Sequence, residues 1–355
     1  MLKIRPSLIE LQPYRAEGEE KQIRLDANEC AGGLPAEVKR EIADALGRID
    51  LHRYPDILMS GLRKEIAAEF SLAAEHIMIG SGSSELLQAI CHVFGGADRT
   101  IVFPTPSFSM YGIYVRLSDS TGEAVALETD YSLSAAKVIE AANRTQASLV
   151  LLCNPNNPTG TVMPQADIEA ILQGVECPVL VDEAYYEYYG QSSVNLLASY
   201  PRLIITRTFS KAYGLAGARV GYMIAQPEMI DAVHKVLMPY HVNALSLAAA
   251  GIVHANRQAF AAGIQVTKTE RARLIAALLK IPGVTVYPSE ANFVLLRADH
   301  SGELNRLLES RSISIRNFGQ APGLHGCLRV TIGTTAENDA FLQTVQDYYS
   351  HKAVV

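Results

Sequence analysis

The apolar positions of this chain fall into short uninterrupted runs separated by stretches of helical spacing. Residues 148–152 (S-L-V-L-L), 178–181 (P-V-L-V) and 203–206 (L-I-I-T) are apolar on successive positions. That is the pattern of strands covered on both faces. Residues 77–79 (I-M-I), 101–103 (I-V-F) and 220–225 (V-G-Y-M-I-A) read as further β-runs. Between them, residues 34–46, 61–72, the stretch after Glu85 and 165–173 place apolar side chains on one helical face, as with Leu62, Ile66 and Phe70, or Leu86, Leu87, Ile90 and Phe94. Strands alternating with helices predict an α/β fold, a mostly parallel central sheet flanked by helices.

The texture changes near Met238. Residues 245–279 read as largely helical, and Pro282-Gly283 stops them. Short β-runs follow at 284–287, 292–296, 313–316 and 328–332, with helical stretches between and after them. This predicts a smaller α+β domain over 256–355, beside a large domain over 31–255. Residues 1–30 are polar and proline-punctuated and read as an arm rather than a core element, expected to pack with the small domain or a partner subunit.

Each predicted strand delivers the chain to a loop of distinctive chemistry. Residues 77–79 lead into G-S-G-S-S-E (80–85) and then a helix. Unpaired N–H groups at a helix start favour an anion; Ser83 or Ser84 could equally be a plain helix cap. Glu85 stands where a dinucleotide fingerprint needs its third glycine, and no G-x-x-x-x-G-K-[ST] loop occurs in the chain. Residues 101–103 are ended by prolines in a loop that carries Phe108, a ring able to stack on a planar ligand or simply to pack. Residues 153–160 (C-N-P-N-N-P-T-G) and 182–185 (D-E-A-Y) follow two more strand ends. Asp182 in a nucleotide hydrolase would hold Mg²⁺, but that role needs the missing phosphate loop. Residues 208–219 read T-F-S-K-A-Y-G-L-A-G-A-R, where Lys211 is either a Schiff-base nucleophile or a solvated loop lysine.

Composition narrows the classes. The 355 residues suffice for two domains and a large core. A net charge of −6 gives no reason to expect nucleic-acid or anionic-membrane partners. No run of ~18 apolar residues exists, and residues 1–6 lack an apolar signal core, so a cytoplasmic protein is expected. The cysteines (Cys30, Cys91, Cys153, Cys177, Cys327) are odd in number and include no C-x-x-C, which predicts reduced, mostly buried thiols. The histidines show no H-E-x-x-H, and no metal site is expected.

N-P-N-N-P-T-G, V-D-E-A-Y and T-F-S-K-A-Y-G-L-A-G-A-R, in this order, resemble the class I/II aminotransferases of fold type I. The resemblance runs from residues 25–29 (L-D-A-N-E) to 326–333 (G-C-L-R-V-T-I-G). It implies the pyridoxal-phosphate-dependent transferase fold and pyridoxal 5'-phosphate as cofactor. Such a cofactor needs a lysine for its aldehyde, a carboxylate for its ring nitrogen, donors for its phenolic oxygen, a flat neighbour, and an anion site for its phosphate. By resemblance Lys211 is the Schiff-base lysine and proton shuttle. Asp182 pairs with the ring nitrogen, and Asn157 and Tyr185 bind the phenolic oxygen. Phe108, where many relatives carry tyrosine, stacks on the ring. Ser83, Ser84, Ser210 and Arg219 hold the phosphate, and Tyr54 reaches it from the partner subunit of a homodimer with shared sites. Arg329 resembles the arginine that pairs with a substrate α-carboxylate, and Arg316 one that binds a substrate phosphate. Tyr14 and Asn28 match arm positions near the substrate.

Within the family the resemblance points to transamination between L-histidinol phosphate and 2-oxoglutarate in histidine biosynthesis. An aromatic amino-acid aminotransferase or a lyase like threonine-phosphate decarboxylase would share every cofactor residue. A PLP-binding regulator would be expected to carry a fused DNA-binding domain, for which there is no room before Pro13. One departure stands out: Cys30 is followed by Ala31-Gly32-Gly33, where many relatives have an early proline. That loop, near the expected substrate entrance, is expected to be more flexible.

Overall fold

A computed structural model of the chain describes residues 5–9 and 21–352. Tyr14 lies outside the described residues. In chain order the described strands are β1 (Ile23–Leu25), β2 (Ile77–Gly80), β3 (Thr100–Thr105), β4 (Thr121–Ala126), β5 (Leu149–Cys153), β6 (Val179–Asp182), β7 (Leu203–Thr208), β8 (Gly221–Ala225), β9 (Val284–Val286), β10 (Phe293–Ala298), β11 (Ile313–Asn317) and β12 (Cys327–Thr331).

Seven of them form one sheet in the order β2-β8-β7-β6-β5-β3-β4. It is parallel from β4 to β7, and β8 runs antiparallel to both β7 and β2. The uninterrupted apolar runs are explained by two covered faces. Val150, Leu152, Val179, Val181, Leu203 and Ile205 point into one core. Their neighbours Leu149, Leu151, Leu180 and Ile204 point into the core on the opposite face. Side chains alternate along a strand, so both parities must be apolar when neither face meets water. Truncating one of these leucines or isoleucines to alanine costs roughly 2–5 kcal/mol. The helices meet the sheet through the stripes read from sequence, such as Leu86, Leu87 and Ile90 on the Ser83–Phe94 helix.

The other five strands form a second sheet, β1-β11-β12-β10-β9. It packs on the helices Ala261–Leu278, Ser301–Ser310 and Thr335–Lys352 through Leu274, Leu304, Phe341 and Val345.

Two expectations are corrected. The arm packs with the small domain, as expected, but residues 23–25 are a core element of it: β1 pairs parallel with β11, and Leu25 is 1% exposed. Proline does not end β3, which continues through Pro104 to Thr105 beside β4. The Thr105 carbonyl accepts from Leu127 on the β4 side. Pro104 therefore faces the other side, where pairing with β5 covers only Ile101 and Val102, and its missing N–H breaks no ladder. Residues 245–279 are largely helical, as read, but in two pieces. Ala244–Ala255 and Ala261–Leu278 are separated by a 3₁₀ turn, Arg257–Phe260. Asn256 sits at the break and gives its amide to the Ile252 carbonyl and to Glu41.

Candidate active site

The ends of three parallel strands set the site. Cys153, Asp182 and Thr206 are successive cross-strand partners at the C-terminal edges of β5, β6 and β7. The chain leaves β3 for β4 and returns on the other side of β3 as β5, so the winding direction reverses there. Open α/β sheets bind ligands in the crevice outside such a reversal. Phe108 follows β3, Asn157 follows β5, Asp182 ends β6 and Lys211 follows β7.

Asp182 is 3% exposed. Tyr111 donates its hydroxyl to Oδ2 at 3.0 Å, and Thr206 donates to Oδ1 at 3.1 Å. Among the described residues no cationic side chain pairs with it. Burial therefore dominates and pushes its pKa up to about 6, against the pull of those hydroxyls and the Ala184 amide. Tyr111 and Thr206 were missed by sequence reasoning. Tyr111 looked like one more aromatic after β3, and Thr206 becomes visible only once the β6–β7 register is known. Phe108 meets Tyr111 edge-on, with ring centroids 5.5 Å apart.

Lys211 is half-buried and its Nζ donates to the Ala27 carbonyl at 3.0 Å. Burial pulls its pKa down to about 8, and the positive charges of Arg329 and Arg219 pull the same way against Glu29. This is not a solvated loop lysine. A neutral amine is accessible near neutral pH, which suits a nucleophile or general base.

An anion cradle lies beside it. The Ser83–Phe94 helix has Gly82 as its N-cap, and no side chain caps it. The capping alternative for Ser83 and Ser84 is thus overturned; both lie in the first turn. Glu85 instead accepts from the Ser81 N–H at 2.6 Å. Arg219 reaches over Gly82, so that a Cβ there would stand 2.7 Å from its Nη2. Its Nη1 donates to Ser210 Oγ at 3.3 Å. A Cβ on Gly221 would collide with the Ser83 nitrogen at 2.3 Å. The chain keeps glycine at 82 and 221, and the space they leave brings a guanidinium, serine hydroxyls and helix-start amides together around one point.

The second sheet faces this site with arginines. Arg329 is 7% exposed, and its Nη1 donates to Asn157 Oδ1 at 2.5 Å and its Nη2 to the Asp26 carbonyl at 2.6 Å. Arg316 is its cross-strand partner on β11, half-buried, while Ile313 and Ile315 are buried, as the alternation predicted.

Of the remaining candidates, one is buried and one is exposed. Asn28 is 1% exposed and its Nδ2 donates to the Tyr185 hydroxyl at 2.9 Å, so it meets Tyr185 rather than open substrate space. Tyr54 is 79% exposed and stacks on Tyr240 at 4.4 Å, within a surface that also bares Leu51, Leu58, Val236 and Met238. All five cysteines are free thiols, four of them buried. Among the described residues no cluster could hold a metal ion, and no helix is long and apolar enough to cross a membrane.

A family model described as aminotransferase class I and II matches residues 20–345. The chain belongs to that family. This aminotransferase is 37% identical over 337 residues to the histidinol-phosphate aminotransferase of Caldanaerobacter subterraneus subsp. tengcongensis, a match spanning 95% of this chain and 96% of that protein. Its fold superposes with a TM-score of 0.88 on histidinol-phosphate aminotransferase from Sinorhizobium meliloti, solved in complex with pyridoxal-5'-phosphate, at 26% identity over 98% of each chain. L-threonine-O-3-phosphate decarboxylase from Porphyromonas gingivalis, at 24% identity and a TM-score of 0.81 over 92% of this chain and 99% of that one, shares the fold.

Proposed function

We propose that this chain is a pyridoxal 5'-phosphate-dependent aminotransferase that exchanges the amino group between L-histidinol phosphate and 2-oxoglutarate, in cytoplasmic histidine biosynthesis. The observation that carries the reading is one arrangement. Lys211, its pKa lowered, follows the strand beside the one that ends in a buried carboxylate without a cation, and it feels the charges of Arg219 in a glycine-built anion cradle and of Arg329. The curated relatives of that name, at 34–37% identity, support the choice of substrate.

The residues present fit this cofactor. When bound, it supplies an aldehyde for amines and a ring that takes up negative charge from the substrate Cα. Lys211 would hold the aldehyde, and its amine is the group that would take a proton from the donor Cα and return one. Its lowered pKa keeps part of it neutral for that step. Asp182 binds the protonated ring nitrogen, the cation that its own surroundings lack. Tyr185 and Asn157 would serve the phenolic oxygen; Arg329 occupies Asn157 Oδ1 and leaves the amide nitrogen as the group able to donate. Phe108 packs against the ring. Ser83, Ser84, Ser210 and Arg219 hold the phosphate.

Arg329 takes the α-carboxylate of glutamate or 2-oxoglutarate, and Arg316 takes the phosphate of histidinol phosphate. Tyr14, with no structural account, remains a substrate contact by resemblance. Tyr54, exposed with Tyr240 and their apolar neighbours, reaches the phosphate of a second subunit, which makes the protein a homodimer with shared sites. Residues 31–255 act as the large domain, and 256–355, with the arm, as the small one.

Replacing Arg316 with glutamine tests the substrate half of this reading. Removing a charged partner of a phosphate is expected to raise the KM for histidinol phosphate about a hundredfold, with the KM for glutamate within about threefold. Equal losses on both substrates would remove Arg316 from phosphate recognition.

A further inference from the structure

Asn28 is used up by protein partners on every side. Its N–H donates to Thr331 Oγ1 at 3.0 Å, and Thr331 returns its proton to Asn28 Oδ1 at 3.2 Å. Its carbonyl accepts from Asn292 at 3.0 Å. The backbone is left-handed, with φ of +54°, a conformation asparagine tolerates better than most side chains. With Oδ1 committed to Thr331, Nδ2 is left to face the Tyr185 hydroxyl at 2.9 Å.

That contact has a direction. An amide nitrogen only donates, so the Tyr185 oxygen must accept from it. The single Tyr185 proton is then free to be given to something else. We propose that Asn28 is a positioning residue that fixes which way the Tyr185 hydroxyl donates, aiming its proton at the cofactor's phenolic oxygen. This deepens the function proposed above and rests on it.

The arm ties this device to the substrate side. Three consecutive residues meet three site residues: the Asp26 carbonyl accepts from Arg329, the Ala27 carbonyl from Lys211, and the Asn28 amide serves Tyr185. Thr331 lies two positions beyond Arg329 on β12 and so shares its face. The hydrogen-bond direction at Tyr185 is thereby set by the strand that carries the carboxylate-binding arginine.

The test is a pH titration of the bound cofactor's absorbance in the holoenzyme, with steady-state kinetics alongside. Asn28→Asp keeps the shape and reverses the polarity, because a carboxylate accepts the Tyr185 proton. It is expected to raise the titration midpoint by about one pH unit, as far as Tyr185→Phe does. It should lower kcat about tenfold with the KM for 2-oxoglutarate within about threefold. Asn28→Ala, which buries no new charge, should move the midpoint the same way but less. In a Tyr185→Phe background neither change should move it further. An unmoved midpoint, an equal shift in the Tyr185→Phe background, or a KM rise without a kcat loss would overturn the proposal. A wild-type protein that binds no pyridoxal phosphate would instead overturn the functional reading beneath it.

Discussion

Asp182 and Glu183 are consecutive carboxylates at the end of β6, 3% and 2% exposed, and their surroundings treat charge in opposite ways. Glu183 turns into the core, where its neighbours complete it. Arg207 approaches at 2.9 Å through Nη2 and 3.0 Å through Nε, the Ser193 N–H donates at 2.6 Å, and the Ser192 hydroxyl at 2.8 Å. Arg207 is in turn held 3.5 Å from the Tyr186 ring centroid and 5.0 Å from that of Phe70. This closed set joins β6 to β7 just below the site. Asp182 turns toward the crevice, and its two hydroxyl donors leave its charge without a cation. One carboxylate is a finished part of the fold. The other is finished only by a cation that the chain does not supply, and electrostatics of that kind mark a functional carboxylate.

The comparison breaks if the two can be exchanged in their effects. Asp182→Asn should lower kcat by roughly 10²–10³-fold or more, the scale of losing a group aimed at developing charge. It should not weaken the cofactor-free fold. Glu183→Gln leaves Arg207 buried without its counter-charge. It should cost the fold about 3–5 kcal/mol in urea unfolding, with any remaining folded protein close to wild type in KM.

The smallest effect sharpens the contrast through pH. In the cofactor-free chain the folded pKa of Asp182, about 6, lies above the ordinary 3.8. Folding then favours its protonated form. The contribution is whole below about pH 4 and is lost as pH rises through 6, reaching about 3 kcal/mol by pH 8. Asp182→Asn should therefore unfold at higher denaturant than wild type at pH 8 and at nearly the same denaturant at pH 4. A constant difference across that range would mean that Asp182 is already compensated.

Much of this architecture was legible in the chain, and the part that was not has a common cause. Residues 148–152 and 178–181 announced buried strands because both parities were apolar. The loops after them announced chemistry because asparagine, aspartate and lysine stood where strand ends gather. What stayed hidden depends on partners remote in sequence. Residues 23–25 looked like a polar arm, because the strand that pairs with them, β11, lies some 290 positions later. Thr206 and Tyr111 carry no local sign that they hold Asp182. Asn28 matched an arm position near the substrate, but its contacts with Thr331 and Tyr185 carried no local sign. Pro104 misled for the opposite reason: the local rule was sound, but the ladder it would have broken had already ended.

The central claim is tested most directly by one spectral titration. The pyridoxal-phosphate-loaded protein is treated separately with glutamate, L-histidinol phosphate and L-phenylalanine, and the absorbance band of the lysine-bound cofactor is followed. Glutamate and histidinol phosphate should each convert the band, and phenylalanine at the same concentration should leave it in place. Conversion by phenylalanine but not by histidinol phosphate would contradict the account.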